Sequence, residues 1–315
     1  MADLKLRIAT RKSALAVAQT TMAADAIVAA NPGLSYELVT MTTEGDRRLD
    51  KSLASFGGKG VFIKELEVAL LEGRADIAVH SLKDMPAEVL PEFKLAAVLK
   101  REDPRDAFIA RGGAVGIKFM DLPAGARVGT GSIRRVVQLK ALRPDLEYVP
   151  IRGNIQTRLG KLAELDGVVL AAAGLKRMGL ADQVTEYFST EQMLPASGQG
   201  ILAIETLNVL ASHEVATQSI DAILARVNDA ESYAIAVAEM AYLKALNAGC
   251  QFPVASFAEF VDGTLRVRGI YWDEKKKDLL KSEVSREIDL SRADAVELSR
   301  SVGVELANRI YQQLR

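Results

Sequence analysis

The chain has 315 residues, of which 49% are hydrophobic, 5% aromatic and 26% charged, the profile of an ordinary soluble globular protein long enough for two or three domains. Forty Lys and Arg against 41 Asp and Glu leave a formal net charge of −1, which argues against nucleic acid or a membrane surface as the main partner. One cysteine and two histidines exclude an internal disulfide and a cysteine-rich zinc site, and nearly exclude a histidine triad combined with a histidine-ligated metal. Acid–base chemistry then falls to carboxylates, and recognition to Arg and Lys.

The first residues, Met1 to Arg7, alternate charge with Leu and lack the apolar run of a signal peptide. The Ala-rich stretch Ala14 to Ala30, broken by Gln19, two threonines and Asp25, is too polar and too short to cross a bilayer. With one thiol and no export signal, the expected compartment is the reducing cytoplasm.

Up to about residue 205, short apolar runs alternate with amphipathic helices, an α/β pattern. Expected strands are Leu6–Ala9, Tyr36–Val39, Ile77–Val79 and Leu95–Val98, then Ala107–Ile109, Arg127–Gly129, Leu146–Val149 and Gly167–Leu170. Helices are expected over roughly 13–30, 61–72, 132–142 and 154–165. The charged, Pro-bearing segment Lys100–Asp106 separates the two series and predicts an inter-domain crossing. A second crossing is expected at Leu194–Gly200, before a buried strand Ile201–Ile204. From 254 onward, Val254–Val261, Thr264–Tyr271 and Asp278–Arg286 read as an antiparallel meander turning at Asp262-Gly263, and a helix over about 291–313 closes the chain.

Basic residues cluster behind strands: Arg11 and Lys12 after the first, Arg134 and Arg135 after Gly129-Thr130-Gly131-Ser132, then Arg152 and Arg177. Ligands of open α/β sheets bind outside the carboxyl ends of strands, where helix N-termini also favour anions. Thr130 and Ser132 can add hydrogen bonds, and guanidinium groups select carboxylates or phosphates, so a ligand with several such groups is expected. His80-Ser81-Leu82-Lys83-Asp84-Met85-Pro86 follows the strand Ile77–Val79 and places one carboxylate among these cations, where it can stabilise a developing positive charge or move a proton. His80 reads as a structural group at the strand end. Gly57-Gly58-Lys59-Gly60 lacks the pattern of a nucleotide P-loop and suits a flap. Cys250 lies in Asn247-Ala248-Gly249-Cys250-Gln251-Phe252-Pro253, a loop composition that leaves nucleophile, metal ligand and covalent attachment point open.

Several segments together resemble the porphobilinogen deaminase (hydroxymethylbilane synthase) family. They are Thr10–Ala16, Gly57–Gly60 with Phe62–Leu66, His80–Pro86, Arg101–Asp106, Gly129–Arg135, Arg152–Asn154, Leu194–Gly200 and Gly249–Gln251, in the family's order. The resemblance implies two α/β domains resembling type II periplasmic binding proteins plus a small C-terminal α+β domain: 1–100 with 201–225, 106–196, and 229–315. It implies a transferase that joins four porphobilinogen molecules with loss of ammonia into a linear tetrapyrrole, built on a dipyrromethane cofactor attached to Cys250. Asp84 would be the catalytic carboxylate. Lys83, Ser81, Thr130, Ser132, Arg134, Arg135, Arg158 and Lys59 would hold the cofactor; Arg11, Ser13, Gln19, Arg152, Arg177 and Gln199 would hold substrate. No metal is implied, and a monomer is expected.

Three positions depart from the family pattern. Ser55 replaces a frequent lysine before the flap, Gly131 a common serine, and Ala248 a frequent glycine. The rival reading is a non-catalytic module that clamps small polycarboxylate anions, since the same architecture serves receptors. Such a module needs neither Cys250 nor Asp84. A cysteine hydrolase would need a general base near Cys250, which scarce histidine disfavours.

Overall fold

In the first sheet, Ile8, Ile77 and Val79 join one apolar cluster while Ala9 and Ala78 join another, so successive residues bury opposite faces and helices must cover both. The computed structural model describes residues 4–43, 63–208, 214–248 and 252–314. In chain order the first elements are β1 (Leu4–Arg11), α1 (Ala14–Ala30), β2 (Leu34–Met41), α2 (Lys64–Leu71), β3 (Ile77–Ser81) and β4 (Phe93–Val98). Next come β5 (Asp106–Ala110), β6 (Arg127–Gly129), α3 (Ile133–Leu142), β7 (Glu147–Val149), α4 (Ile155–Gly160), β8 (Gly167–Ala171), α5 (Ala172–Arg177) and β9 (Glu186–Tyr187). The last are β10 (Leu202–Leu207), α6 (Glu214–Ala225), α7 (Ala230–Ala245), β11 (Val254–Val261), β12 (Thr264–Asp273), β13 (Asp278–Glu287) and α8 (Ala295–Leu314).

The chain divides into two compact units, Met1–Arg101 with Ile201–Ala236, and Glu102–Gly200 with Val237–Arg315. The first holds a five-stranded sheet in the order β2-β1-β3-β10-β4. β1 runs parallel to β2 and β3, and β10 antiparallel to β3 and β4. Ala23, Ala24 and Ile27 of α1 cover one face, Leu66, Ala69 and Leu70 of α2 the other. The second unit repeats the wiring as β7-β6-β8-β5-β9, with β5 the antiparallel strand. Leu139 of α3 packs with Phe108, Val128 and Val169 on one face; Leu175 of α5 packs with Ala107, Val168 and Leu170 on the other. Two α/β sheets each interrupted by one antiparallel strand give the type II binding-protein architecture.

Local sequence explains several boundaries. Ser13 caps α1 by accepting from Ala16 N at 3.3 Å, and Asn31 ends the helix by donating its amide to Ile27 O at 2.8 Å. The β11–β12 hairpin turns at Asp262 and Gly263, both with positive φ (49° and 77°), as a two-residue loop of that sequence requires. Differences from the sequence reading are mostly of extent. The helix expected over 154–165 is interrupted after Gly160 by a 3-10 turn, and β9, a two-residue strand, had no recognisable pattern. The sequence pattern marks neither α6 nor α7, the latter being alanine-rich with little amphipathic contrast.

The C-terminal sheet, β11-β12-β13, is antiparallel and packs against α8. Tyr242 of α7, fully buried, donates to Ile270 O at 3.0 Å. At Gly303 of α8 a β-carbon would overlap the Ala238 carbonyl oxygen of α7, so the two helix backbones meet where no side chain fits. Gly303→Ala should therefore lower unfolding free energy by about 1–3 kcal/mol in urea denaturation. An unchanged midpoint would remove the close-approach argument.

Candidate active site

In the first unit, β3 ends at Ser81 and passes into a single 3-10 turn, Leu82–Asp84, closed by Met85 N donating to Leu82 O at 3.0 Å. Leu82 and Met85 are buried and hold the turn down, leaving Lys83 half-buried and Asp84 exposed. Leu82 N donates to Ile201 O at 3.0 Å, tying the turn to the start of β10. Arg11 is the last residue of β1, which runs parallel to β3, so it ends at the same edge of the sheet, followed by the cap Ser13. Gln19, buried on α1, and Ser81 exchange hydrogen bonds: Nε2 to Oγ at 3.0 Å and Oγ to Oε1 at 3.2 Å. Arg11, Ser13, Gln19, Ser81, Lys83 and Asp84 are thus gathered at one sheet edge.

His80 sits on the opposite face of β3 from Ser81. It is buried, and its Nε2 lies 3.0 Å from Glu205 Oε2 of β10. Glu67 of α2 belongs to the same cluster. Burial, then the Glu205 charge, push its carboxyl up to about 6, with His80 opposing and Glu92 adding to the rise.

In the second unit, Thr130 and Ser132 follow β6 and lead into α3. Ser132 N donates to Thr130 Oγ1 at 3.4 Å, and Thr130 N to Val149 O at 3.0 Å. Gly131 stands where a β-carbon would come within 2.6 Å of Ile151 O. The departure at 131 thus accompanies a close backbone approach that serine would disturb. Arg152 is exposed after β7, and Arg158 of α4, half-buried, donates Nε to Gly153 O at 2.9 Å.

Arg134 and Arg135 occupy the first turn of α3 but point inward. Arg134 Nη1 reaches Asp106 Oδ2 at 2.8 Å, and Arg135 donates Nε and Nη2 to Asp106 Oδ1 at 2.9 and 2.7 Å. Gln199 Nε2 adds a bond to the same oxygen at 2.9 Å and one to Pro104 O at 2.7 Å. Asp106 is completely buried, which opposes ionisation, yet the charges and hydrogen bonds of the two arginines hold its carboxyl far below the usual range. Two guanidinium groups against one carboxylate leave the cluster at +1. Arg177 at the end of α5 donates Nη2 to Gly200 O at 2.6 Å, while its Nε is buried without a hydrogen-bond partner among the described residues. Burial lowers its pKa to about 10, with Glu102 opposing.

Cys250 and Lys59 lie outside the described residues, as do Ser55 and the Gly57–Gly60 flap. Among the described residues no group of three or more His, Cys, Asp and Glu is arranged to hold a metal, and no helix is long and apolar enough to cross a membrane. Sequence reasoning did not assign Asp106 or Glu205 to the site. The available signal was a carboxylate at the start of Asp106-Ala107-Phe108-Ile109 and another within Ile204-Glu205-Thr206-Leu207, each in an otherwise apolar strand.

Asp106→Asn should cost about 3–5 kcal/mol in chemical denaturation, because it leaves two buried guanidinium groups facing a neutral amide. A loss below about 1 kcal/mol would refute the buried-counterion account. Glu67 has the opposite pH sign. Its raised pKa means that its contribution to stability is complete below the unfolded value near 4.5 and is lost as pH rises through about 6. Glu67→Gln should flatten unfolding free energy between about pH 4.5 and 7, and a parent-like slope in that variant would contradict the assignment.

Two family models match the chain: porphobilinogen deaminase, dipyromethane cofactor binding domain, over residues 6–214, and porphobilinogen deaminase, C-terminal domain, over residues 233–312. The porphobilinogen deaminase of Syntrophus aciditrophicus is 45% identical over 307 residues, covering 97% of this chain and 94% of its own. That of Sorangium cellulosum is 45% identical over 304 residues, covering 96% and 98%. Among solved structures, the methionine binding protein MetQ aligns over 75% of this chain and 95% of its own, with 14% identity and a TM-score of 0.44. On the family matches and the identity to these relatives, the chain belongs to the porphobilinogen deaminase family.

Proposed function

We propose that Asp84 is the catalytic carboxylate of this enzyme and that the cations at the two sets of strand ends hold the carboxylates of cofactor and substrate. The activity follows from the family. The protein is a hydroxymethylbilane synthase, a transferase that joins four porphobilinogen molecules head to tail, releases ammonia at each addition and forms a linear tetrapyrrole on a covalently bound dipyrromethane. Family membership sets aside the non-catalytic anion clamp.

The observation that carries the proposal is the turn Leu82–Asp84. Its buried flanks present one exposed carboxylate at a sheet edge beside Lys83, in the register where β1 delivers Arg11. A carboxylate at that place can stabilise the cation left on the substrate when its C–N bond breaks and ammonia departs with the electron pair. It can also accept the proton lost when the new carbon–carbon bond restores the pyrrole ring. Lys83 would pair with carboxylates of the cofactor and Arg11 with the acetate and propionate of the substrate, and the cations of the second unit would bind such carboxylates at their own sheet edge.

The donor set suits the cofactor. Dipyrromethane carries carboxylates, and the second unit offers Thr130, Ser132 and Arg158 to it, while Arg152 and Arg177, the latter with a buried, unpartnered Nε among the described residues, would serve the substrate. When bound, the group supplies the terminal pyrrole carbon to which the first substrate is joined. Arg134 and Arg135, turned onto Asp106, would act through the +1 charge of their cluster at the α3 N-terminus, and Gln199 through fixing Asp106. Ser81 and Gln19 would hold the strand end, and Ser13 the start of α1. Lys59 would cover the site from the flap. Cys250 would be the thioether anchor: it is the one thiol in the chain.

We extend the proposal to three domains, 1–100 with 201–225, 106–196 and 229–315, the last close to the span of the C-terminal family model. A cytoplasmic monomer without nucleic-acid or membrane partners fits the near-zero charge and the single thiol.

Asp84→Asn should fold, retain its cofactor and lose turnover by about 10³-fold or more. Parent-like activity in that variant would sink the charge-stabilising role. Intact-mass measurement should show a covalent excess of two substituted pyrrole rings in the native protein and none in Cys250→Ala. A fully active Cys250→Ala enzyme would dispose of the anchor.

A further inference from the structure

The strand that presents Asp84 is gripped from both faces just before the turn. On the α1 face, Ser81 exchanges hydrogen bonds with the buried Gln19. On the α2 face, His80 Nε2 meets Glu205 Oε2 at 3.0 Å, with side chains only 5% and 1% exposed. The two strands are in register there: Ala203 of β10 pairs with His80 and Leu202 with Ser81, so Glu205, two residues along from Ala203, shares its face. A carboxylate buried inside an apolar strand is costly unless hydrogen-bonded, and His80 supplies the bond.

We infer that His80 and Glu205 are positioning residues for Asp84, locking the end of β3 through their buried hydrogen bond so that the Lys83–Asp84 turn is held at one height and rotation. The inference rests on the reading of Asp84 as the catalytic carboxylate. Three residues separate His80 from Asp84, and the turn between them is tied down, with Leu82 and Met85 buried and Leu82 N bonded to Ile201 O. A shift of the strand end therefore passes directly to the carboxylate. The ionisable group that feels both members of the pair is Glu67 of α2, and Glu92 before β4 acts on Glu67 in turn. Glu67 is pushed up to about 6 chiefly by burial and then by the Glu205 charge, so removing that charge lowers the pH at which Glu67 ionises.

The test uses the cofactor-loaded enzyme. His80→Leu removes the hydrogen bond, and kcat should fall about 100-fold while KM moves less than about twofold and the mass excess of the cofactor remains. His80→Gln retains an N–H donor and should restore kcat to within about tenfold of the parent. Glu205→Gln retains an acceptor but removes a charge, and should displace the acidic limb of the kcat–pH profile. A merely structural role would lower the yield or the melting temperature without selective loss in kcat, rescue by Gln or a moved pH limb. If His80→Leu does not accumulate, Glu205→Leu against Glu205→Gln makes the same comparison. A parent-like kcat in the Leu variant, or a Gln variant no better than Leu, overturns the inference. Asp84→Asn assayed alongside separates the two readings: if it is active, the assignment of Asp84 fails; if it is inactive while the Leu variant is normal, only the positioning role fails.

Discussion

A fully buried Asp106 carboxylate, surrounded by two guanidinium groups and an amide, governs how the second unit is put together. Desolvating an ion costs several kcal/mol, and that cost is offset only if the partners are fixed in geometry. The requirement locks the first residue of β5, the first turn of α3 and the segment carrying Gln199 to one point. It also answers a local difficulty. Arginines in the first turn of a helix face the positive end of its dipole, an unfavourable position that a carboxylate between them relieves. The remainder is one net positive charge beside a helix N-terminus, a setting that attracts anions.

The first unit applies the same device with different groups. There the buried carboxylate is Glu205 and its partner His80. In both sheets the carboxylate lies on the antiparallel strand, β5 in one and β10 in the other. The topology supplies a reason. An antiparallel strand begins at the edge where its neighbours end, as the pairings Asp106 with Ala171 and Leu202 with Ser81 record. Its early residues therefore lie among the strand ends that carry the chemistry. A charge there braces that edge without occupying it. The wiring thus places Asp106 at the candidate binding edge of the second unit, whereas Glu205, paired with Ala78, reaches the end of β3 only through His80.

Much of this was legible in the sequence because it depends on near neighbours. The run Ile77–Val79 followed by Lys83-Asp84 and Pro86 marks a strand end with a charged turn, and the turn is found there. Asp262-Gly263 marks a hairpin for the same local reason, since few residues tolerate positive φ. Asp106 and Glu205 were not assigned because a carboxylate in an apolar strand acquires its meaning from partners 28 and 125 positions away. The bond from Gln199 to Asp106 and the inward turn of Arg134 and Arg135 were hidden likewise. An arginine at a helix start reads as a ligand-facing cation unless the carboxylate behind it is known.

Composition and motif order, by themselves, determined the class of the chain. Balanced charge, one thiol and scarce histidine confined the chemistry to carboxylates and cations, and the ordered motifs identified the family. Those are properties of residue type and sequential spacing, which a linear chain carries in full. Tertiary structure alone decided which charged groups remain available at the surface and which are consumed inside. Burial and partnership depend on residues brought together by strand order, so Asp84 stays exposed while Asp106, an equally plain aspartate in the sequence, becomes the buried counterion of its unit.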